Sequence, residues 1–241
     1  MARLFKADHG RRIELDGVGP AARPVDIDQA QTGFASLKTL RIYHFEPPAV
    51  INGHAEEDEV FIVVLQGEIE LQMRSEHWSS NEQRFTLEAA GKPGSVACAA
   101  YLPPHAEYSL TPRSGADVAY VRALPTEARA PAVFSTVPRR SGKGSQLLLD
   151  PEAYAQRLRL QLWYAEASEQ ATELASASHS AMSETLVHVR STRTRAVTVE
   201  ANGLSGTMLD SWDTVGLSAG EPASLRLAAR ASALSLIVSA S

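Results

Sequence analysis

The chain has 241 residues, 44% of them hydrophobic and 21% charged, with a formal net charge of -5. This composition excludes collagen-like, disordered and disulfide-stapled chains, and the lack of a Lys/Arg stripe argues against a nucleic-acid partner. No apolar run reaches the ~18 residues of a membrane span, and the single Cys98 fits a reducing, cytoplasmic setting.

The opening MARLFKADHGRRIELDG has no apolar centre and does not read as a secretory signal. Residues 1–36 are expected to form an arm and first strands that pack on the rest of the fold. Thr39–Phe45 is short and β-rich, and Pro47–Pro48 stops it. Val60–Leu65 is a continuous apolar run, as in a strand buried on both faces, and Gly67 breaks it. Glu68–Met73 then alternates with period two. Ser79–Arg84 reads as a polar loop. Phe85–Leu87, Ser95–Leu102 and Val118–Ala123 read as strands, punctuated by glycines and by Pro103–Pro104.

Leu124–Gly144 carries three prolines and no sustained period, so it is expected to be a surface linker. Asp150-Pro151-Glu152 signals a brief helix, with an Asp cap and proline at the first helical position. Leu158–Tyr164 returns to period two. Glu166–Ser180 is rich in Ala, Ser and Glu and is expected to be a polar loop. Thr185–Val189, Ala196–Glu200, Thr214–Leu217, Ser224–Ala228 and Leu234–Val238 read as strands, and Asn202-Gly203 as a hairpin turn.

His54 and Glu59 recur as His179 and Glu184, each pair offset by 125 residues and each ahead of an apolar strand. Matching positions before matching strands, in halves of similar β content, suggest a duplication. The fold expected is all-β, with two jelly-roll barrels in tandem and the second degenerate. The divisions are an arm over 1–36, a barrel over 37–124, a linker with a short helix over 125–156 and a barrel over 157–241.

The His-x-x-x-x-Glu element before Val60–Leu65, then Gly67-Glu68, resembles the first cupin motif. Tyr101-Leu102-Pro103-Pro104-His105-Ala106-Glu107-Tyr108 resembles the second. The order of Gly91-Lys92, Ser95-Val96, Tyr101–Pro104, Tyr108–Thr111, Ala116–Ala123 and Ser141–Gly144 resembles the 5-deoxy-glucuronate isomerases of inositol catabolism, a family of carbohydrate metabolism. The chain is thus similar to a bicupin.

That resemblance implies a divalent metal, Mn, Zn, Ni or Fe, held by His and Glu. The first-barrel slots fall on Asn52, His54, Glu59 and Tyr108, and the second-barrel slots on Ala177, His179, Glu184 and Ala223. His54 and Glu59 are the metal candidates, Glu59 and Tyr108 the catalytic candidates, and Asn52 and His105 the ligand-binding candidates. His179, Glu184 and His188 make a second candidate site. Each barrel keeps two standard ligands, whereas catalytic metals normally have three from the protein.

Three readings stand. One is an aldose–ketose isomerase of a sugar acid, with Glu59 as base or ligand, His54 as ligand or acid, and Tyr108 as oxyanion donor. Another is a metal-dependent cupin dioxygenase. The third is a cupin that binds a small polar or carbohydrate ligand without catalysis. Edge-strand addition offers a route to a homodimer. Arg139, Arg140 and Lys143 suit a carboxylate or phosphate, or form a solvated basic loop. Trp78, Trp163 and Trp212 read as packing residues, and Cys98 as a small core residue.

Overall fold

The computed structural model describes residues 1–74, 82–89, 97–125, 129–137, 139–140, 145–151, 154, 157–177 and 183–241. Among these residues are 22 strands and one four-residue helix, so the chain is all-β as expected. The first half begins with β1 (Arg3–Phe5), β2 (Arg12–Leu15), β3 (Gly19–Asp28), α1 (Gln29–Thr32) and β4 (Leu37–Phe45). It continues with β5 (Ile51–His54), β6 (Glu59–Gln66), β7 (Glu68–Arg74) and β8 (Gln83–Glu88). β9 (Ala97–Leu102), β10 (Glu107–Pro112), β11 (Ala116–Ala123) and β12 (Ala132–Ser135) complete it.

The second half opens with β13 (Arg139–Arg140), β14 (Ser145–Leu149), β15 (Arg159–Ala167) and β16 (Thr172–Ala177). Next come β17 (Glu184–Ser191), β18 (Val197–Ala201) and β19 (Thr207–Leu209). β20 (Thr214–Leu217), β21 (Ala223–Leu227) and β22 (Ala231–Ala240) end the chain.

These strands build two lobes, each a large sheet facing a small one. The first pairs β12-β9-β6-β11-β4-β3-β2 with β5-β10-β7-β8; the second pairs β1-β20-β17-β22-β15-β14-β13 with β16-β21-β18-β19. The two large sheets share one order, with β6 and β17 in equivalent places. One exchange breaks the parallel. The place beside β9 is filled by the local strand β12, but the place beside β20 is filled by β1 from the far N-terminus. The opening residues are therefore a structural part of the second lobe.

The cores follow from strand parity. In β6, Val60, Ile62 and Val64 point between the two sheets of the first lobe. Phe61, Val63 and Leu65 point the other way, into a core shared with Leu160, Leu162, Leu186, Leu236 and Val238 of the second lobe. Side chains alternate along a strand, so a strand with apolar residues of both parities must be buried on both faces. β6 is such a strand: its large sheet packs back to back with that of the second lobe.

Polar ties reinforce this seam. Arg190 of β17 pairs with Asp117 of β11 at 2.8 Å and donates to Gln66 Oε1 at 2.8 Å. Its guanidinium also stacks over Trp212 at 4.3 Å.

Two expectations need correction. Glu166–Ser180 is not a loop throughout: β15 runs to Ala167, and Thr172–Ala177 pairs with β21. Buried Leu174 and Ala175 join the second lobe's core, with a register shift between Glu173 and Ala175. Likewise, β12, β13 and β14 lie within the stretch expected as a linker, held by pairing to β9 and β15. The expected helix at 150–156 falls largely outside the described residues, as do Trp78 and Lys143. The Asn202-Gly203 hairpin is present: β18 pairs with β19, and Gly203 takes φ 87°, a left-handed value that glycine reaches without a Cβ clash. Cys98 is buried in the seam, and burial pushes its thiol up to about 12.

Candidate functional site

The concave faces of the two lobes differ in chemistry. In the second lobe that face is mainly aliphatic, with Val187, Val189, Val215, Leu217, Leu225, Leu227 and Ile237 filling the space between its sheets, and Thr185 and Ser235 of the same parity bury their hydroxyls there without a partner. The expected ligand slot at Ala223 is part of this core. In the first lobe the deep layer is apolar, but one end is polar.

Register builds that polar end. On β4 and β11, Arg122 stands opposite Thr39, Tyr120 opposite Arg41, and Val118 opposite Tyr43. Val118 and Tyr120 belong to the inner core, while Leu40, Ile42, Ala119 and Val121 of the other parity belong to the seam. Opposed residues share a face, so Thr39, Arg41, Tyr43, Tyr120 and Arg122 all line the interior. β3 adds Asp26 opposite Arg41.

Charge is concentrated here. Asp26 receives Arg41 Nε at 3.0 Å and Arg23 at 2.9 Å, and Arg11 pairs with it too. Buried Asp58 pairs with Lys38 at 2.5 Å and Arg122 at 3.6 Å. Arg122 also reaches Glu56 at 3.2 Å and the His54 carbonyl at 2.6 Å. Five cations (Arg11, Arg23, Lys38, Arg41, Arg122) thus meet three carboxylates (Asp26, Glu56, Asp58).

Three tyrosines lie beneath. Tyr120 packs edge-on to Tyr43 with centroids 5.3 Å apart, and tilts against Tyr108 at 6.0 Å. Tyr108 points inward, as expected of its motif slot, and lies across Gly53. A Cβ at Gly53 would fall 2.5 Å from the Tyr108 hydroxyl, so only glycine leaves room for the ring. Burial pushes Tyr108 up to about 12 and holds Tyr120 well above the ordinary phenol value. The two hydroxyls are near enough to influence each other, yet Tyr120 Oη makes no hydrogen bond of acceptable geometry. Thr39 Oγ1 is also buried without a partner.

The other expected site residues do not converge. Glu59 shares the parity of Phe61 and points into the seam, where it accepts Leu158 N–H at 2.8 Å and the Tyr101 hydroxyl at 3.3 Å. Burial raises its pKa, against the lowering effect of those two bonds. Val60 takes the inward place instead. His54 is exposed, its Nδ1 accepting the Glu56 N–H at 3.0 Å. Asn52 is exposed and stands opposite Ser109 on the outer face of the small sheet. His105 takes φ 64° and reaches outward to Glu57 at 3.5 Å.

In the second lobe, Glu184 accepts the backbone N–H groups of Ala35, Ser36 and Leu37 at 2.5, 2.8 and 3.1 Å. It anchors the approach to β4. His188 is buried in the seam beside Trp212, its Nδ1 3.1 Å from Thr214 Oγ1. Burial, with Arg190 nearby, lowers its pKa to about 3, so the ring is neutral. His179 lies outside the described residues.

These donors do not fit a divalent metal. No group of three His, Cys, Asp or Glu side chains able to hold one is found among the described residues. Glu59 and Glu184 are already engaged by buried N–H or O–H groups, and His54 faces away from Glu59.

The residues of this polar end that motif matching missed are Arg41, Tyr43, Tyr120 and Arg122. Their signal is polar side chains two apart, Arg41/Tyr43 and Tyr120/Arg122, in strands whose other parity is apolar.

Comparison with known proteins places this geometry. No curated protein matches the sequence. An IolB-like protein of Salmonella typhimurium LT2 superposes with TM-score 0.68 at 14% identity, covering 99% of this chain and 92% of that one. The Escherichia coli pirin YhhW, solved with nickel(II), gives 0.63 at 15% identity over 98% of both chains. An oxalate decarboxylase of Bacillus subtilis gives 0.69 at 9% identity, over 98% of this chain and 76% of that one. At such identities the likeness establishes the cupin fold. The model of the KduI/IolB family matches residues 20–144, the segment that builds the polar mouth, and the chain belongs to that family.

Proposed function

We propose that this chain is a bicupin that binds a small, polar, sugar-acid-like ligand in its first barrel, through charge and hydroxyl groups rather than a protein-held metal. The divisions at 37–124 and 157–241 are part of this reading. The observation that carries it is the contrast between the lobes: Arg and Lys side chains paired with carboxylates line the mouth of the first interior, while mainly aliphatic side chains fill the second. A site of a few polar groups above an apolar floor suffices for affinity and orientation.

Family membership favours aldose–ketose isomerisation as the second reading. Isomerisation needs a base to move a proton between adjacent carbons and an electrophile to hold the enediolate. In the mouth, Asp26 and Asp58 are both paired with cations, and the Tyr108 hydroxyl is held far from ionisation at neutral pH. Glu59 faces the seam. The described residues therefore offer anchors for a ligand more readily than a free base, which is why binding is placed first.

Calorimetric titration with D-glucuronate and D-gluconate, with and without EDTA, tests the proposal. The same solutions, followed for ketose formation with Mn, Zn, Ni or Fe added, test the second reading. Binding that survives EDTA without turnover supports the first. Stoichiometric metal together with metal-dependent ketose formation would replace it with the isomerase.

A further inference from the structure

We infer that Glu59 and Glu184 are a reciprocal pair of latches: each lobe's motif acid grips backbone N–H groups at the entry to the equivalent strand of the other lobe, and the pair ties the two lobes into one cooperative unit. This role is independent of any ligand in the first barrel.

The two acids occupy matched places. Each is the first residue of an eight-residue strand, Glu59 of β6 and Glu184 of β17, and these strands hold equivalent positions in the two large sheets. What each acid grips is matched too. Glu184 Oε1 accepts the Ala35 N–H, and its Oε2 accepts the Ser36 and Leu37 N–H groups, where the chain enters β4. Glu59 Oε1 accepts the Leu158 N–H, one residue ahead of β15. β4 and β15 are themselves equivalent, with nine residues each. Leu37 and Leu158 are both 1% exposed, in the core that the lobes share. Contacts in which one unit's residue i meets the other's j, and j meets i, mark a two-fold interface. Here that interface lies within one chain.

The latches differ in how each carboxylate is completed, and the packing explains why. The third residue of β6, Phe61, stands opposite Tyr101, whose hydroxyl donates to Glu59 Oε2. The third residue of β17, Leu186, stands opposite Gly216. A Cβ at Gly216 would fall 2.9 Å from the Phe5 ring, so β1 fills the space that Tyr101 fills in the first lobe. With no hydroxyl from that place, Glu184 takes three backbone N–H groups instead. Bonds from N–H to a carboxylate are charge-assisted and about twice as strong as neutral ones. They join residues 99 positions apart at Glu59 and 149 apart at the Ala35 bond of Glu184. Each bond has one end in either lobe, so a lobe that opens alone must break both latches.

The test follows amide hydrogen exchange in the full chain by NMR, with and without urea. Glu184→Ala, a change in the second lobe, should speed exchange at Ser36 and Leu37 of the first lobe about 10–100-fold, and leave Leu158 as in wild type. Glu59→Ala, a change in the first lobe, should speed exchange at Leu158 by about the same factor, and leave Ser36 and Leu37 unchanged. Glu59→Gln keeps an oxygen for the Leu158 N–H and should hold its exchange near the wild-type rate. Tyr101→Phe removes only the bond within the first lobe and should also leave Leu158 slow. In wild type, β7 of the first lobe and β18 of the second should exchange with one shared urea dependence. The double variant Glu59→Ala/Glu184→Ala should separate them, and the single variants keep the test decisive where the double variant does not fold.

Crossed loosening, with each single variant acting on the opposite lobe, supports the pair of latches. Loosening confined to the lobe that carries the substitution overturns it, and so does unchanged exchange at Ser36, Leu37 and Leu158. A shared urea dependence that persists in the folded double variant, or separate opening of the lobes in wild type, overturns the cooperative role.

Discussion

The two lobes share a strand order and have opposite interiors. In the first, β4 and β11 bring Arg41, Tyr43, Tyr120 and Arg122 inward. In the second, the equivalent places on β15 and β22 bring in Ala165, Ala167, Ala231, Ala233 and Ile237. The backbone plan can thus be kept while the chemistry of its interior is replaced. The second face closes on itself with mainly aliphatic side chains, whereas the first keeps a charged mouth. The second lobe in turn buttresses the first: the back-to-back seam and the Glu184 anchor hold β4 in place.

The largest test of this difference lies at the seam. Asp117→Ala leaves Arg190 buried without its carboxylate, and breaking one side of a buried pair costs about 3–5 kcal/mol. Arg190 is already held below its ordinary value by burial, despite the support of Asp117. Denaturant titration should show the loss. A cost near zero would mean that the lobes do not depend on this tie.

Leu225→Ala in the second lobe's filled core should cost about 2–5 kcal/mol by cavity formation. Gly53→Ala in the first lobe should cost about 1–3 kcal/mol by overpacking against Tyr108. The first variant should leave ligand binding intact, because the proposed ligand site lies in the first interior. The second should disturb binding along with stability. If Leu225→Ala abolished binding in folded protein, the proposed division of labour would be lost.

Much of this was legible in the sequence, and the misses have physical causes. Glu68–Met73 and Thr214–Leu217 declared themselves by their residue types and period. The inward slot of Tyr108 was legible from its place after Pro103–Pro104. The parity of Glu59 was not, because Val60–Leu65 is apolar on both faces and offers no alternation to orient it. β1 was invisible as a strand because its partner, β20, lies more than 200 residues away. Thr172–Ala177 reads as a loop by composition, yet becomes a strand because β21 offers a ladder. Arg122 stayed hidden because its role depends on the loop carrying Glu56 and Asp58, and a local pattern cannot show that contact.

His188 sets a pH-dependent effect. Its folded pKa of about 3 lies below the unfolded value of 6.5, so the unfolded chain binds the extra proton in that interval. The stability contributed by keeping the ring neutral is complete above pH 6.5 and drains away as pH falls toward about 3, at up to about 1.4 kcal/mol per pH unit. His188→Gln should flatten that dependence between about pH 6 and 4 relative to wild type. Equal slopes would show that the ring is not buried in solution.

The smallest expected effect is at Glu59, and it bears directly on whether the motif acid is functional. Burial raises its folded pKa, so the folded chain binds this proton more tightly than the unfolded one. Its contribution is fully present below the unfolded value of 4.5 and is lost as pH rises through the folded value. Glu59→Gln keeps an oxygen for the Leu158 N–H and removes the buried charge. It should therefore lie within about 1 kcal/mol of wild type at neutral pH, and its stability relative to wild type should improve as pH climbs above 4.5. Glu59→Ala orphans the Leu158 N–H and should cost about 1–3 kcal/mol. A seam residue gives this ordering with unchanged sugar-acid affinity. A metal ligand or catalytic base would differ in the functional readout: Glu59→Gln would abolish metal uptake or turnover, which would return the motif acid to the active site.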